Sequence, residues 1–119
     1  MPYVDGFVFP VPTKKLAAYR KIAKLAGTVW RDHGALEYHE CIGDDLNIPM
    51  GIPFPKLVKP KKGETIGFSW IVFKSKADRN RINAKVMKDP RLAAMLDPKN
   101  VPFDCKRMTY GGFKSVVDM

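Results

Sequence analysis

The stretch Thr65 to Phe73, with the sequence TIGFSWIVF, decides the fold of this chain. Its apolar residues fall on both sides of an extended strand, because Phe68 and Trp70 point one way while Ile71 and Phe73 point the other. An antiparallel strand with one face in water alternates apolar and polar residues. Both faces of this strand therefore need cover. The chain offers about two helices, which suffice for one face, so we predict that a second copy covers the other.

Composition and length favour one small cytoplasmic domain. The chain has 119 residues, 45% of them apolar, which predicts a single domain over residues 1–119. The N-terminus lacks the basic region and long apolar core of a signal peptide. The longest apolar stretch is too short to span a bilayer, so we expect no membrane partner. Cys41 and Cys105 lack CxxC spacing, which favours reduced thiols and a cytoplasmic location.

The net charge of +9 results from 21 basic and 12 acidic residues. Such an excess attracts polyanions without specificity, and it also keeps a small protein in solution. The basic residues are dispersed along the sequence rather than gathered in one block. This dispersal favours a solvated surface over a nucleic-acid function.

The first half of the chain reads as strand, helix and strand. Tyr3 to Val11 is the first predicted strand, ended by prolines. A helix with an apolar stripe at three- and four-residue spacing follows, with Thr13 as its predicted N-cap and Gly34 closing it. Ala35 to Gly43 is the second predicted strand. His33 is predicted to cap the last carbonyls of the helix as a cation.

The second half adds a long connection, a strand, a helix and a strand. Residues 44–64 contain four prolines and predict a surface loop that covers a cavity mouth. After the strand at 65–73, Ser75 to Asp78 resembles a capping box for a second helix, which ends before Pro90. Pro90 to Leu96 is predicted as a short helical turn. Met108 to Val117 is the last predicted strand, with Gly111-Gly112 marking a bulge or a close backbone approach.

This order of elements predicts an α+β fold of the ferredoxin-like βαββαβ type. Its four-stranded antiparallel sheet carries both helices on one side and leaves an aromatic-rich side bare. Two such sheets can pack face to face. We therefore predict a dimeric α/β barrel, formed as a homodimer through the sheet faces.

Segments along nearly the whole chain resemble the YbaA-like family of small bacterial proteins, within the dimeric α/β-barrel superfamily. The matching segments are residues 2–7 (PYVDGF), 10–12 (PVP), 34–38 (GALEY), 40–41 (EC), 68–72 (FSWIV), 83–87 (NAKVM), 89–91 (DPR) and 108–113 (MTYGGF). The resemblance implies the fold but no activity for the family itself. The superfamily implies cofactor-free oxygenases, small-ring isomerases and binding modules that use the cavity of the shared barrel.

Four residues are candidates for lining such a cavity: Asp5, Glu40, Trp70 and Tyr110. A carboxylate in an apolar cavity has a raised pKa and can serve as a general base, whereas a structural role would leave it hydrogen-bonded at the strand register or the dimer seam. We expect a small, partly apolar ligand between sheet and partner. The catalytic residues stay unassigned, and no cofactor is expected.

A metal site is not predicted, although three metal-ligating residue types alternate on the second strand. Glu37, His39 and Cys41 share one strand face, but no second pair stands at metal-site spacing. His39 also departs from the resembled family, which tends to have an apolar residue there. The plain interpretation is an exposed or interface face of mixed polarity.

RNA binding is the alternative function. Residues 66–73 nearly match the aromatic signature of the RNA-recognition motif, which has the same element order and stacks bases on its sheet. Phe68 and Trp70 would share that stacking face. Ile66 stands where the signature has a basic residue, and Asp5 would put a carboxylate on a phosphate-facing sheet. Self-association therefore ranks first.

Overall fold

A computed structural model describes residues 1–95, 97 and 101–119 of the chain. It contains four strands and four helices: β1 (Tyr3–Pro12), α1 (Leu16–Asp32), β2 (Glu37–Ile42), α2 (Phe54–Val58), β3 (Glu64–Phe73), α3 (Lys76–Met87), α4 (Pro90–Met95) and β4 (Thr109–Lys114). Short 3₁₀ turns at Thr13–Lys15 and Cys105–Arg107 precede α1 and β4. All strand pairs are antiparallel, in the order β2-β3-β1-β4. The predicted ferredoxin-like α+β fold is confirmed.

The register of the sheet fixes which residues share a face. Asp5 pairs with Ile71 on β3 and with Gly112 on β4, so the odd-numbered residues of β1 and β3 lie on one face. Phe73 on this face is fully buried against the helices. Phe68 and Trp70 lie on the opposite face. We call these the helix face and the outer face.

The core on the helix face divides into two clusters. One joins Phe73 to Ile82 and Val86 of α3 and to α4, and all three of these side chains are fully buried. The other joins Phe9 and Val11 of β1 to α1. The gap between the two clusters holds the cavity described below.

The connection between β2 and β3 is partly helical, not structureless. Pro53 precedes α2 in extended geometry, and Lys59 ends it with a φ of 54°. The Phe54 ring packs on Phe68, with centroids 6.1 Å apart. Helix α2 thus covers part of the outer face, which the order of elements predicts to be bare.

Of the predicted capping residues Ser75, Gly34 and Thr13, two lie at helix ends in the structure, and the third does not. Ser75 caps α3, because its hydroxyl accepts from the Asp78 amide at 3.1 Å. Gly34 closes α1 with a φ of 116°, which a side chain would strain. Thr13 is not the N-cap of α1. It opens the 3₁₀ turn instead, and its amide donates to the Gly63 carbonyl at 2.8 Å.

The Gly111-Gly112 pair reflects a close approach rather than a bulge. The β1–β4 register runs through both glycines without interruption. A Cβ at Gly112 would lie 2.5 Å from the Tyr3 hydroxyl and 2.8 Å from Arg79 Nη2. The small residue leaves room for these two side chains on the helix face.

Candidate functional site

A cavity of about 170 Å³ lies between the helix face of the sheet and helices α1 and α4. The segment before β4 closes another side of it. Its wall is mainly aromatic and aliphatic, with contributions from Phe7, Phe9, Trp30, Leu92 and Phe103. A buried apolar cavity of roughly 150 Å³ holds benzene. The volume is therefore large enough for a ligand of one ring.

Glu40 brings a carboxylate into this apolar space. It points to the helix face of β2, and hydroxyls from two different elements hold it. Tyr19 on α1 donates to Oε1 at 2.7 Å, and Tyr38, two residues earlier on β2, donates to Oε2 at 3.0 Å. Both oxygens are thus fixed in position, and each keeps a second lone pair that can accept from a ligand.

The two tyrosines remain protonated donors. Burial raises the pKa of Tyr19 well above its usual range, and the hydrogen bond to Glu40 raises it further. Burial also raises the pKa of Tyr38, and the negative charge of Glu40 adds to the effect. Both phenols therefore stay neutral at any physiological pH and act toward the carboxylate as hydrogen-bond donors.

Ser69 adds a second polar group beside the carboxylate. It lies opposite Glu40 in the β2–β3 register and lines the same cavity. Its side chain is buried at the wall of the cavity. Ser69 can therefore donate to or accept from a bound molecule.

Asp5 and Tyr110 form a separate polar cluster behind the cavity wall. Asp5 is 1% exposed, and Asn83 and Tyr110 each donate to its Oδ2 at 3.3 Å. Arg79 Nε lies 3.5 Å from Oδ1 and supplies the opposite charge. Trp30, which lines the cavity, donates to Asn83 at 3.0 Å and so links the cluster to the cavity.

Trp70 lies on the other side of the sheet, on the outer face. Its ring stacks with His39 at a centroid distance of 4.6 Å and contacts Phe68 at 5.6 Å. Of the four predicted cavity residues, only Glu40 lines the cavity within the chain. Asp5 and Tyr110 share a neighbouring cluster, and Trp70 is separated from all three by the sheet.

The cavity also differs in place from the expected one. It lies on the helix face within one chain, whereas the predicted cavity lies between sheet and partner and would form only in the dimer. None of residues 44–64 lines it, so within the described chain the proline-rich connection is not its lid. Its wall comes instead from α1, α4 and residues 101–108. Glu40 lines this cavity because it falls on the helix-facing phase of β2, which sequence alone does not fix.

The metal-ligating types on β2 do share a face, as predicted. His39 Nε2 lies 3.0 Å from Glu37 Oε1 on the exposed outer face. Across residues 1–95, 97 and 101–119, no group of three His, Cys, Asp or Glu side chains is arranged to hold a metal ion. The arrangement is that of a surface hydrogen bond.

His33 has a carboxylate partner instead of capping free carbonyls. Its Nε2 lies 2.8 Å from Asp89 Oδ2, and Arg91 donates to both Asp89 oxygens. Hydrogen bonds from Arg91 and then His33 hold the pKa of Asp89 well below its usual range. This cluster joins the end of α1 to the turn between α3 and α4.

Tyr19 and Tyr38 are the site residues that sequence reasoning missed. Tyr19 belongs to the apolar stripe of α1, and that stripe predicts a place in the core. Tyr38 precedes Glu40 by two residues, so strand periodicity alone already placed the two on one face. That spacing was the available signal for Tyr38, whereas Tyr19 required the packing of α1 on the sheet.

The model of a family described as "Protein of unknown function (DUF1428)" matches residues 2–105. The chain belongs to this family. It is also 42% identical over 118 residues to the uncharacterized protein YbaA of Escherichia coli strain K12, covering 99% of both chains. The predicted family resemblance is thereby confirmed.

Solved structures of low identity share the fold. A NIPSNAP family protein from Agrobacterium tumefaciens has a TM-score of 0.61 at 16% identity, over 96% of this chain and 87% of that one. A dimeric ferredoxin-like protein from an uncultured marine organism has a TM-score of 0.59 at 11% identity, over all of both chains. SnoaB, a cofactor-independent oxygenase from Streptomyces nogalater, has a TM-score of 0.56 at 11% identity, over 99% and 96%.

No helix within the described residues is long and apolar enough to cross a membrane.

Proposed function

We propose that the protein is a cytoplasmic homodimer that binds a compact, partly apolar molecule with a single ring in the cavity of each subunit. The observation that carries this proposal is the Glu40 carboxylate, held by two tyrosine hydroxyls inside an aromatic-lined space of about 170 Å³. Small-molecule sites combine an apolar wall with a few placed polar groups in this way. A hydroxyl or amine on the ring would donate to Glu40.

The chemistry that such a site supports is proton transfer. A ligand hydroxyl or activated C–H group that reaches a Glu40 oxygen would pass its proton to the carboxylate. The donors Tyr19 and Tyr38 keep the oxygens in position while this happens. Proton removal begins both an isomerisation and a cofactor-free oxygenation of an electron-rich ring. SnoaB, a cofactor-independent oxygenase, shares the fold, which is compatible with an oxygenation. At 11% identity this similarity is evidence for neither the oxygenation nor the isomerisation.

A ligand screen with matched variants tests the proposal. Wild type, Glu40→Gln and Glu37→Gln would be screened by thermal shift against phenols, hydroxybenzoates and larger fused-ring compounds. Glu37 is a carboxylate on the same strand but on the exposed outer face, so its replacement controls for charge. We expect one-ring compounds to stabilise wild type and Glu37→Gln, with about tenfold to a hundredfold weaker binding to Glu40→Gln.

Two results would contradict this function. One is that fused-ring compounds bind as well as single rings, which would contradict a site selective for one ring. The other is that ligands shift wild type and Glu40→Gln equally. For a ligand that passes the screen, oxygen consumption would separate oxygenation from isomerisation.

The homodimer rests on the outer face of the sheet. Phe68 is 43% exposed and Phe113 is 63% exposed on this face in the single chain. Trp70 lies beside Phe68 on β3, the strand between β2 and β1. Exposed apolar patches of this kind mark association surfaces. The dimeric ferredoxin-like protein from an uncultured marine organism has the same fold. A stable interface there would bury more than roughly 1,200 Å².

RNA binding through the sheet aromatics is the alternative to this use of the outer face. Phe68 and Trp70 share a face, as base stacking would need. Base stacking and dimerisation would compete for the same rings. We favour the dimer because Phe54 already packs on Phe68, which leaves less of that ring free for a base.

A further inference from the structure

The positive charge of the protein is concentrated in two segments. Residues 13–31 and 46–63 contain ten of the 21 lysines and arginines and none of the 12 acidic residues. The rest of the chain has eleven basic and twelve acidic residues, a net charge of −1. The whole excess of positive charge therefore belongs to these two segments, although the basic residues look dispersed along the sequence.

The fold brings the two segments together. The Thr13 amide at the start of one donates to the Gly63 carbonyl at the end of the other at 2.8 Å. The adjoining residues Pro12 and Glu64 are paired in the sheet. We call the ten basic residues of these segments the cationic band. They are Lys14, Lys15, Arg20, Lys21, Lys24, Arg31, Lys56, Lys59, Lys61 and Lys62.

The charges of the cationic band are not neutralised by ion pairs within the described part of the chain. All ten side chains are exposed. None of them lies within ion-pair distance of a carboxylate in the described residues, whereas four arginines elsewhere are paired. Unpaired like charges on a protein surface attract counterions, and a bound polyanion releases these counterions on association.

The course of the cationic band indicates the shape of its partner. Helix α1 lies on the helix face of the sheet, while α2 touches Phe68 on the outer face. The band therefore passes around the end of the sheet from one side to the other. A planar lipid surface cannot touch both sides, and duplex DNA is stiff over about 150 base pairs. A single strand can bend along this path.

We propose that the cationic band binds the phosphate backbone of a single-stranded nucleic acid without sequence preference. This site is distinct from the cavity, and its half along α1 stays accessible in a dimer formed through the outer face. Recognition rests on charge alone, so affinity should fall steeply with salt.

The test compares two variants that lose the same charge at different places. One carries Lys56, Lys59, Lys61 and Lys62→Gln. The control carries Lys74, Lys76, Lys85 and Lys88→Gln, which are exposed residues beyond the other end of β3 and around α3. Binding to a labelled oligo-dT of about 15 nucleotides would be followed by fluorescence anisotropy over a salt series. Circular dichroism would check that both variants are folded.

We expect the first variant to bind at least about tenfold more weakly at low salt, and its slope of log affinity against log salt to fall by about 2 to 3. The control should stay close to wild type. Equal losses in both variants would mean that net charge alone is responsible and would overturn the proposal. So would the absence of wild-type binding at low salt.

A vesicle arm separates nucleic acid from membrane. Met50 and Ile52, in the same sequence segment as the four lysines, are 84% and 77% exposed, and such side chains can enter a lipid interface. Co-sedimentation with vesicles of phosphatidylcholine and phosphatidylglycerol would be measured beside the oligonucleotide. Binding to vesicles without binding to the oligonucleotide would overturn the proposal, while the reverse result would support it.

Discussion

Tyr19 donates a hydrogen bond to Glu40 across 2.7 Å, joining the first turns of α1 to the edge strand β2 at the wall of the cavity. The contact spans 21 residues of sequence and is closed by the packing of the helix on the sheet. This hydrogen bond fixes the Glu40 carboxylate in the cavity wall, and it also contributes to the free energy of unfolding.

Tyr19→Phe should therefore destabilise the protein while leaving the ring packing intact. The loss of one hydrogen bond to a charged acceptor should reduce the free energy of unfolding by about 1.5 to 3 kcal/mol. Urea unfolding followed by circular dichroism measures it. Tyr110→Phe is the control, since its bond to Asp5 is longer, at 3.3 Å, and its side chain is half exposed. Equal losses in the free energy of unfolding for the two variants would contradict a stronger hydrogen bond at Tyr19 than at Tyr110.

Asp5→Asn should remove the negative charge that faces Arg79 in the buried cluster on the helix face. Breaking a buried ion pair from one side costs about 3 kcal/mol or more, because the remaining charge has no partner. Asp5 is almost fully buried, while Arg79 is about one-fifth exposed at its side chain, so relaxation toward water would reduce this cost. A double-mutant cycle with Arg79→Met measures the coupling. Additive effects would show that the two groups do not interact.

The Asp89 cluster should make stability depend on pH in the acid range. The pKa of Asp89 is lowered in the folded state by its hydrogen bonds to Arg91 and His33. The stability that Asp89 contributes is therefore complete above its unfolded pKa of about 4 and is lost as the pH falls below that pKa. Asp89→Asn should lower the melting temperature near neutral pH and flatten its decline in acid. Asp118→Asn, at the exposed C-terminus, is the control and should leave the acid profile unchanged.

Gly67→Ala should be poorly tolerated at the centre of the sheet. A Cβ there would lie 2.5 Å from the Phe9 ring, which is itself buried in the core. Overpacking of this kind costs about 1 to 3 kcal/mol. At Gly6, on the neighbouring strand, the nearest atom to a Cβ is 3.5 Å away in the Phe113 ring. Gly6→Ala should therefore be tolerated, and a similar loss in both variants would be inconsistent with the packing described.

Trp70→Asp should separate the proposed dimer into monomers or make the protein insoluble. A charge would then lie in the middle of an apolar interface, where it has no partner. Sedimentation velocity at micromolar concentration measures the state, with Glu37→Gln as a control on the same face. A wild-type monomer at that concentration would rule out the dimeric barrel.

The sequence by itself determined the element order, because helical and strand periodicities are local. The two-sided apolar pattern of residues 65–73, the Ser75 cap and the left-handed Gly34 each depend on neighbours within a few residues. Those features were predicted from the chain and appear in the structure. The same spacing rule placed Glu37, His39 and Cys41 on one face, and their register confirms it.

Only the tertiary structure decided which face each strand turns toward the helices. The two faces of a strand are equivalent until a helix packs on one of them. The sequence therefore groups Glu40 and Trp70 as candidates for one site, although they lie on opposite faces of the sheet. Packing also brought Tyr19 to Glu40 and joined two acid-free segments into the cationic band. These contacts link residues 20 to 50 positions apart, and no local pattern specifies them.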